Sequence, residues 1–287
     1  MMKPKKSCLK CPVCDTELYV VEQMNLYKCD QNHAFDRAKE GYVNLLLSHK
    51  KKSKNPGDSQ EMVVSRQSFL AKGFYEPISD EINKTVKAYF KSVAKTPETF
   101  LDLGCGEGYY LKRLIQSLEH AQTAYYGLDI SKSAVKLASK NHKEAHWIVA
   151  NSFFTPFSDH SLSGILSVFS PIDMSECKRM LKEDGVLIRV FPETNHLMQL
   201  KEVIYPEIKV KEYEQYLNDL EGLEVVSVKN VAYDITLKNE DLVQLLLMTP
   251  HFWRVKEENK IALLKMDTIV VTVSVSIGVY QQSKGRL

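Results

Sequence analysis

Three glycines at alternate positions, Gly104, Gly106 and Gly108, constrain this chain more than any other stretch. They follow Phe100-Leu-Asp-Leu103, a short run that is apolar apart from Asp102, and Tyr109-Tyr110 comes next. The pattern reads as a buried strand, a tight turn and a helix opening near Tyr109. Glycine is needed where the backbone must turn sharply and let a ligand approach with no Cβ in the way. The spacing is G-x-G-x-G. A dinucleotide loop would read G-x-G-x-x-G, and a P-loop would end in Gly-Lys-Ser/Thr; neither fits.

A second acid strengthens the reading. Tyr125-Tyr-Gly-Leu-Asp129 is another short apolar run ending in a carboxylate, and residues 110–118 leave room for one helix between the two runs. A carboxylate at the end of the second strand of a βαβ unit can accept both ribose hydroxyls of a nucleoside cofactor. Asp102, Gly104, Cys105, Gly106, Glu107 and Asp129 are therefore candidate cofactor contacts. An acid just before the first glycine resembles the loop of class I methyltransferases that use S-adenosylmethionine. The bland alternative is an ordinary βα turn of some other α/β fold.

Four of the six cysteines lie near the N-terminus: Cys8, Cys11, Cys14 and Cys29. Cys11-Pro-Val-Cys14 is a C-x₂-C knuckle, and Cys29-Asp-Gln-Asn-His33 supplies a second pair. Two such pairs around a short hairpin make a tetrahedral Cys₃His zinc site. Cys8 and Cys11 also form C-x₂-C; the Pro12 turn favours Cys11 with Cys14 and leaves Cys8 spare. So small a segment cannot bury enough apolar surface to fold alone, and a structural zinc ion would supply the difference.

Next comes His49-Lys-Lys-Lys-Ser-Lys54. Lys50, Lys51, Lys52 and Lys54 could neutralise about four phosphates. Alone, the run reads as a solvated linker; beside a zinc module and Arg37, Lys39 and Tyr42 it reads as nucleic-acid contact. Net charge is only +2, so any such contact is local. No run approaches the ~20 apolar residues of a membrane span, and no apolar segment follows the charged N-terminus, so a cytoplasmic protein is expected.

Two helices are predicted ahead of the first strand, over 60–71 and from Tyr75, whose ring reads either as core or as a cover for the cofactor. Further strands are predicted over 146–151, 162–170, 185–191, 224–228 and 268–277, with helices over 131–140, 177–181, 196–200 and 242–248. Asn151 falls where an adenine-binding polar residue would sit. Phe169-Ser-Pro-Ile-Asp173 ends the fourth strand, where a doubly wound sheet puts its reaction centre.

Assembled, the chain resembles the bacterial large-subunit rRNA guanine-N1 methyltransferases, the family that includes macrolide-resistance enzymes of the tylosin type. The resemblance covers nearly the whole length. It rests on Cys11-Pro-Val-Cys14 with Cys29 and His33, on Phe35-Asp-Arg-Ala-Lys-Glu-Gly-Tyr-Val-Asn-Leu45, on Asn55-Pro-Gly-Asp-Ser59, on the glycine loop, and on Gly127-Leu-Asp129, His196-Leu-Met198 and Met248-Thr-Pro250. It implies an α/β fold: a Rossmann-like class I methyltransferase domain with a mostly parallel seven-stranded sheet, plus a small N-terminal zinc-binding β domain. Expected boundaries are 1–48 for zinc and RNA recognition and 49–287 for methyl transfer, with 49–92 as linker and leading helices. The cofactors implied are S-adenosylmethionine and Zn²⁺. Cofactor contacts would include Tyr75, Gly104 to Glu107, Asp129 and His196.

The implied substrate is a 23S rRNA hairpin; a second copy of the chain stays open as a further partner. Guanine N1 carries a proton, so an acceptor is needed near the methyl. Asp58 and Asp173 are the candidates, and each also reads as a helix cap. Some relatives carry no acid at the position of Asp173. Phe169, Phe157, Phe252 and Trp253 are candidate stacking platforms. The rival readings are a small-molecule methyltransferase of the same fold and a non-catalytic zinc-containing RNA-binding protein.

Overall fold

The computed structural model describes residues 5–51, 53–93, 95–118, 122–205, 220–249, 258–259, 263 and 265–283. Its N-terminal part is a four-stranded antiparallel sheet: β1 (Lys5–Lys10), β2 (Glu17–Val21), β3 (Leu26–Cys29) and β4 (Ala34–Asp36). In β2, Leu18 and Val20 alternate inward, the period of a half-buried strand. They pair in register with Cys29 and Tyr27 of β3. This little sheet shares a core with the larger domain. Leu9 bridges Phe157, the Lys10 N–H donates to the Pro156 carbonyl at 2.7 Å, and Leu9, Leu18 and Phe157 are fully buried together.

The larger domain contains β5 (Val43–Asn44), α1 (Gln60–Ala71), α2 (Glu76–Ser92), β6 (Thr99–Leu103), α3 (Tyr109–Leu118), β7 (Ala124–Asp129), α4 (Lys132–Asn141) and β8 (His146–Val149). It continues with β9 (Leu162–Val168), α5 (Met174–Met180), β10 (Leu181–Pro192), α6 (Met198–Ile204), β11 (Leu223–Lys238), α7 (Asn239–Leu247) and β12 (Thr268–Gln282). The sheet is eight-stranded, not seven-stranded. Its order is β11-β12-β10-β9-β6-β7-β8-β5, and β5 is the extra strand, parallel to β8. Two residues are too short to show a period, so β5 left no pattern in the sequence. Only the pairings of β12, with β10 and with β11, are antiparallel. The central strands are apolar nearly throughout, as parallel strands covered on both faces must be; Phe100, Leu101 and Leu103 of β6 are all fully buried.

Helix α2 buries a stripe that includes Ile78, Ile82, Val86, Tyr89 and Phe90. Ser59 caps α1 by accepting from the Met62 N–H at 3.2 Å, and Ser131 caps α4 by accepting from Ala134. Strand β11 extends ten residues beyond its expected end, because β12 pairs with it as far as Lys238 although its solvent side is polar. Most of the long connection before Glu224, together with Phe252, Trp253 and Lys52, lies outside the described residues.

Candidate cofactor cleft and zinc cluster

The turn after β1 folds back on itself: the Cys11 N–H donates to Thr16 and the Asp15 N–H to Cys11. It brings Cys11 and Cys14 to Cys29 and His33, whose potential ligand atoms all lie within 4.8 Å of one another. Cys14 Sγ is 3.7 Å from Cys29 Sγ; His33 Nδ1 is 3.4 Å from Cys29 Sγ and 3.6 Å from Cys11 Sγ. With Zn–S near ~2.3 Å and Zn–N near ~2.0 Å, a tetrahedron has edges of about 3.8 and 3.5 Å. The donor set therefore fits Zn²⁺. Cys8 stands outside it, half-buried beside Tyr126.

The cofactor cleft, a cavity of about 400 Å³, lies beyond the carboxyl ends of β6, β7 and β9. There the strand order reverses between β6 and β9, the place where open α/β sheets bind ligands. Gly104 has φ +82°, and a Cβ on it would sit 2.0 Å from Ser170 Oγ. Only glycine lets the β6 loop turn this close to the β9 loop. Asp129 holds the glycine turn: Oδ2 accepts from the Gly106 N–H at 3.0 Å and Oδ1 from the Ser131 N–H at 2.7 Å. Each carboxylate oxygen keeps a lone pair for a ribose hydroxyl.

Glu107 is buried, and its Oε2 has no hydrogen-bond partner among the described residues. Burial pushes its carboxyl up to about 7, against the pull of the Arg66 guanidinium. Arg66 reaches in from α1. Its Nη1 pairs with Asp58 Oδ2 at 2.5 Å and its Nη2 donates to the Met248 carbonyl at 3.2 Å. The cleft thus carries Asp58, Glu107 and Asp129 against one arginine. Such an acid surplus suits S-adenosylmethionine, whose sulfonium and ammonium outweigh its carboxylate, and repels a dinucleotide.

The expected residues divide into two groups. Tyr75, Gly104, Cys105, Gly106, Glu107, Asp129 and Asp58 line the cleft. Asp102 lies buried beneath the loop, with burial first and Asp129 second pushing its carboxyl up to about 8. His196 sits behind Phe169 and Tyr75, at ring separations of 5.7 and 6.3 Å, and its Nδ1 accepts from the Ser274 N–H. Asn151 lines a different, larger cavity beside the zinc cluster, while its neighbour Ser152 lines the cleft. Asp173 caps α5, accepting from the Glu176 N–H at 3.0 Å and the Ser175 hydroxyl at 2.5 Å, which hold its carboxyl below the usual range.

Among the other expected contacts, Arg37 lies over the Tyr27 ring and pairs with Glu22 at 3.0 Å. Lys39, Lys50, Lys51 and Lys54 are exposed; Tyr42 and Phe157 are buried core. Arg66 is a cleft residue that sequence spacing does not mark, since only the tertiary fold brings α1 to the loop; Ser170 and Met248, also at the cleft, fall in the stretches Phe169-Ser-Pro-Ile-Asp173 and Met248-Thr-Pro250 that the sequence does mark. Among the described residues, no helix is long and apolar enough to cross a membrane.

Comparison with known proteins agrees with this geometry. The family described as "RlmA, N-terminal", a zinc ribbon, matches residues 9–54, and the "Methyltransferase domain" family matches residues 100–185. A Bacillus subtilis protein named "Putative 23S rRNA (guanine-N(1)-)-methyltransferase" is 31% identical over 94% of this chain and 96% of its own. The 23S rRNA (guanine(748)-N(1))-methyltransferase of Streptomyces fradiae is 29% identical over 85% of each chain. With S-adenosylmethionine and Zn²⁺ both fitted by its residues, the chain belongs to the 23S rRNA (guanine-N1)-methyltransferase family.

Proposed function

We propose that this enzyme methylates N1 of a guanosine in a hairpin of 23S rRNA. The observation that carries the reading is an acid-lined cleft at the switch point, opening at the end of β9, in a chain whose zinc sheet packs on the same domain. S-adenosylmethionine supplies a methyl already activated by its sulfonium. The chain's own task is alignment and removal of one proton. Asp129 would receive the ribose hydroxyls, and the Gly104 to Glu107 backbone with Arg66 would receive the amino-acid end. Tyr75 would close the cleft from α2.

Guanine N1 forms its bond to the methyl carbon as the carbon–sulfur bond breaks, and the N1 proton must leave. Of the two candidate acids, Asp58 faces the cleft and Asp173 is engaged as a cap. Asp58, paired with Arg66, is therefore the proposed acceptor. Phe169, held at φ +53° and 39% exposed at the cleft, would stack the extruded base.

Residues 1–48, which lend β5 to the larger sheet, would serve zinc binding and RNA recognition and 49–287 methyl transfer, with Lys39 and the Lys50–Lys54 run on the RNA backbone in the cytoplasm. A homodimer is part of the proposal. The edge strand β11 is sixteen residues long and exposes Val225 and Val226, and such an edge is commonly covered by pairing. Sedimentation of the full chain tests this point. Incubation with labelled S-adenosylmethionine and 23S rRNA, followed by mass mapping of the modified base, tests the activity.

A further inference from the structure

Apart from the cofactor cleft, a groove of about 950 Å³ lies between the zinc sheet and the loop after β8. Its two walls come from different domains: Cys11 to Asp15 on one side, Ala150 to Phe157 on the other. The loop 151–155 separates groove from cleft. Asn151 lines the first, Ser152 lines the second, and the Ser152 hydroxyl donates to the Pro171 carbonyl of the cleft at 3.3 Å.

This loop is tied down at both ends. The Phe153 N–H donates to Asn151 Oδ1 at 2.9 Å, and the Thr155 N–H and hydroxyl both donate to Glu176 at 2.7 and 2.8 Å. Between these anchors Phe153 and Phe154 stand 41% and 75% exposed. Together with Phe169 they are the only large exposed aromatics among the described residues. Phe154 lines the groove, Phe169 lines the cleft, and Phe153 belongs to the loop that divides them. An anchored loop that holds a phenyl ring in water gains nothing from it in the free protein.

The charges identify what the groove receives. It is lined by three cations, Lys10, Lys50 and Arg179, and three carboxylates, Asp15, Asp159 and Glu176. Lys10 pairs with Asp15 and Asp159, and Arg179 with Asp159 and Glu176. Of the three cations, only Lys50 has no ion pair among the described residues. A balanced, largely apolar groove does not draw in a run of phosphates; it suits an uncharged planar group with one phosphate beside it.

We propose that this groove seats an unpaired nucleotide adjacent to the methylated guanine, its base stacked on Phe154 and its phosphate at Lys50. Extruding the guanine into the cleft takes a stacking partner from its neighbour, and the Phe154 ring replaces it. The groove then sets which guanine of a run reaches the methyl. The inference rests on the rRNA-methyltransferase reading above.

The test uses the full-length zinc-loaded enzyme and 23S rRNA transcripts carrying one 4-thiouridine on either side of the methylated guanine. Irradiation should crosslink one of them to the peptide containing Phe153 and Phe154 or to the facing Cys11–Asp15 turn. Phe154→Ala should abolish that crosslink and raise the RNA KM about 5- to 150-fold, the range for removing one base–aromatic stack. Phe154→Tyr, which keeps the ring, should restore both, and cofactor affinity should stay the same in each. A wild-type enzyme that methylates guanine N1 but crosslinks only outside the groove overturns the inference, as does an unchanged KM in Phe154→Ala. A defect seen on ribosomal particles but not on naked rRNA would make the patch a protein contact and also overturn it. A wild-type enzyme that methylates no guanine N1 overturns the underlying function instead.

Discussion

Arg66 and Asp58 meet at the cofactor cleft, Nη1 to Oδ2 at 2.5 Å, although one lies inside α1 and the other in the loop before it. The pair does two things at once. It offsets part of the acid surplus around the glycine loop, and it fixes the Asp58 carboxylate at the cleft, where a proton must be collected. Asp58→Asn should keep cofactor and RNA binding yet lose about 10²–10⁴-fold in single-turnover rate, with partial recovery at high pH as guanine ionises unaided. A variant that keeps its rate would leave a backbone carbonyl near Ser170 or water as the acceptor.

Glu107 gives the cleft a pH dependence. Burial raises its carboxyl from 4.5 to about 7 in the folded protein. The folded state therefore holds the extra proton, and this group's stabilisation is full below 4.5 and lost as pH rises through about 7. A cationic cofactor favours the ionised form, so affinity for S-adenosylmethionine should increase between pH 6 and 8, about tenfold for each unit by which binding lowers the carboxyl. Calorimetry should show Glu107→Gln losing this step. Asp129→Ala should weaken binding about a hundredfold, the loss of a charged acceptor worth roughly 2–3 kcal/mol.

How much of this was readable in the sequence follows from distance along the chain. The glycine loop, Asp129 and the Cys11, Cys14, Cys29, His33 set are local patterns, and spacing alone announces them. Arg66 is not local: its partners Asp58 and Met248 and its neighbour Gly106 come from three separate segments. Asn151 and Ser152 show how a single residue matters, since the turn over 151–154 sends the two neighbours to different sides and only Ser152 reaches the cleft. Asp173 lay closest in sequence to the reaction centre, but α5 starts immediately after it and its first turn takes the carboxylate. The two-residue strand β5 and the polar half of β11 become strands only because a partner pairs with them.

Zinc should be structural for more than its own sheet. Its apparent binding free energy, on the order of 10 kcal/mol, stabilises a sheet whose Leu9 and Leu18 complete the core beneath β6. Cys14→Ser should lose zinc by metal analysis and lower the thermal midpoint of the whole chain, whereas Cys8→Ser should retain full occupancy.

The lysine run should reveal itself through salt. Replacing Lys50, Lys51, Lys52 and Lys54 with Ala should flatten the log–log salt dependence of RNA binding by roughly 0.7–0.9 for each phosphate no longer neutralised and leave cofactor affinity unchanged. A wild-type slope in that variant would return the run to a plain linker.

The most direct test of the account is the position of the transferred methyl. Purified zinc-loaded enzyme, labelled S-adenosylmethionine and unmodified 23S rRNA should yield a single labelled nucleoside, and mass fragmentation with a block to reverse transcription should place the methyl on guanine N1. Label on another atom, on another base, or on no RNA at all would contradict it.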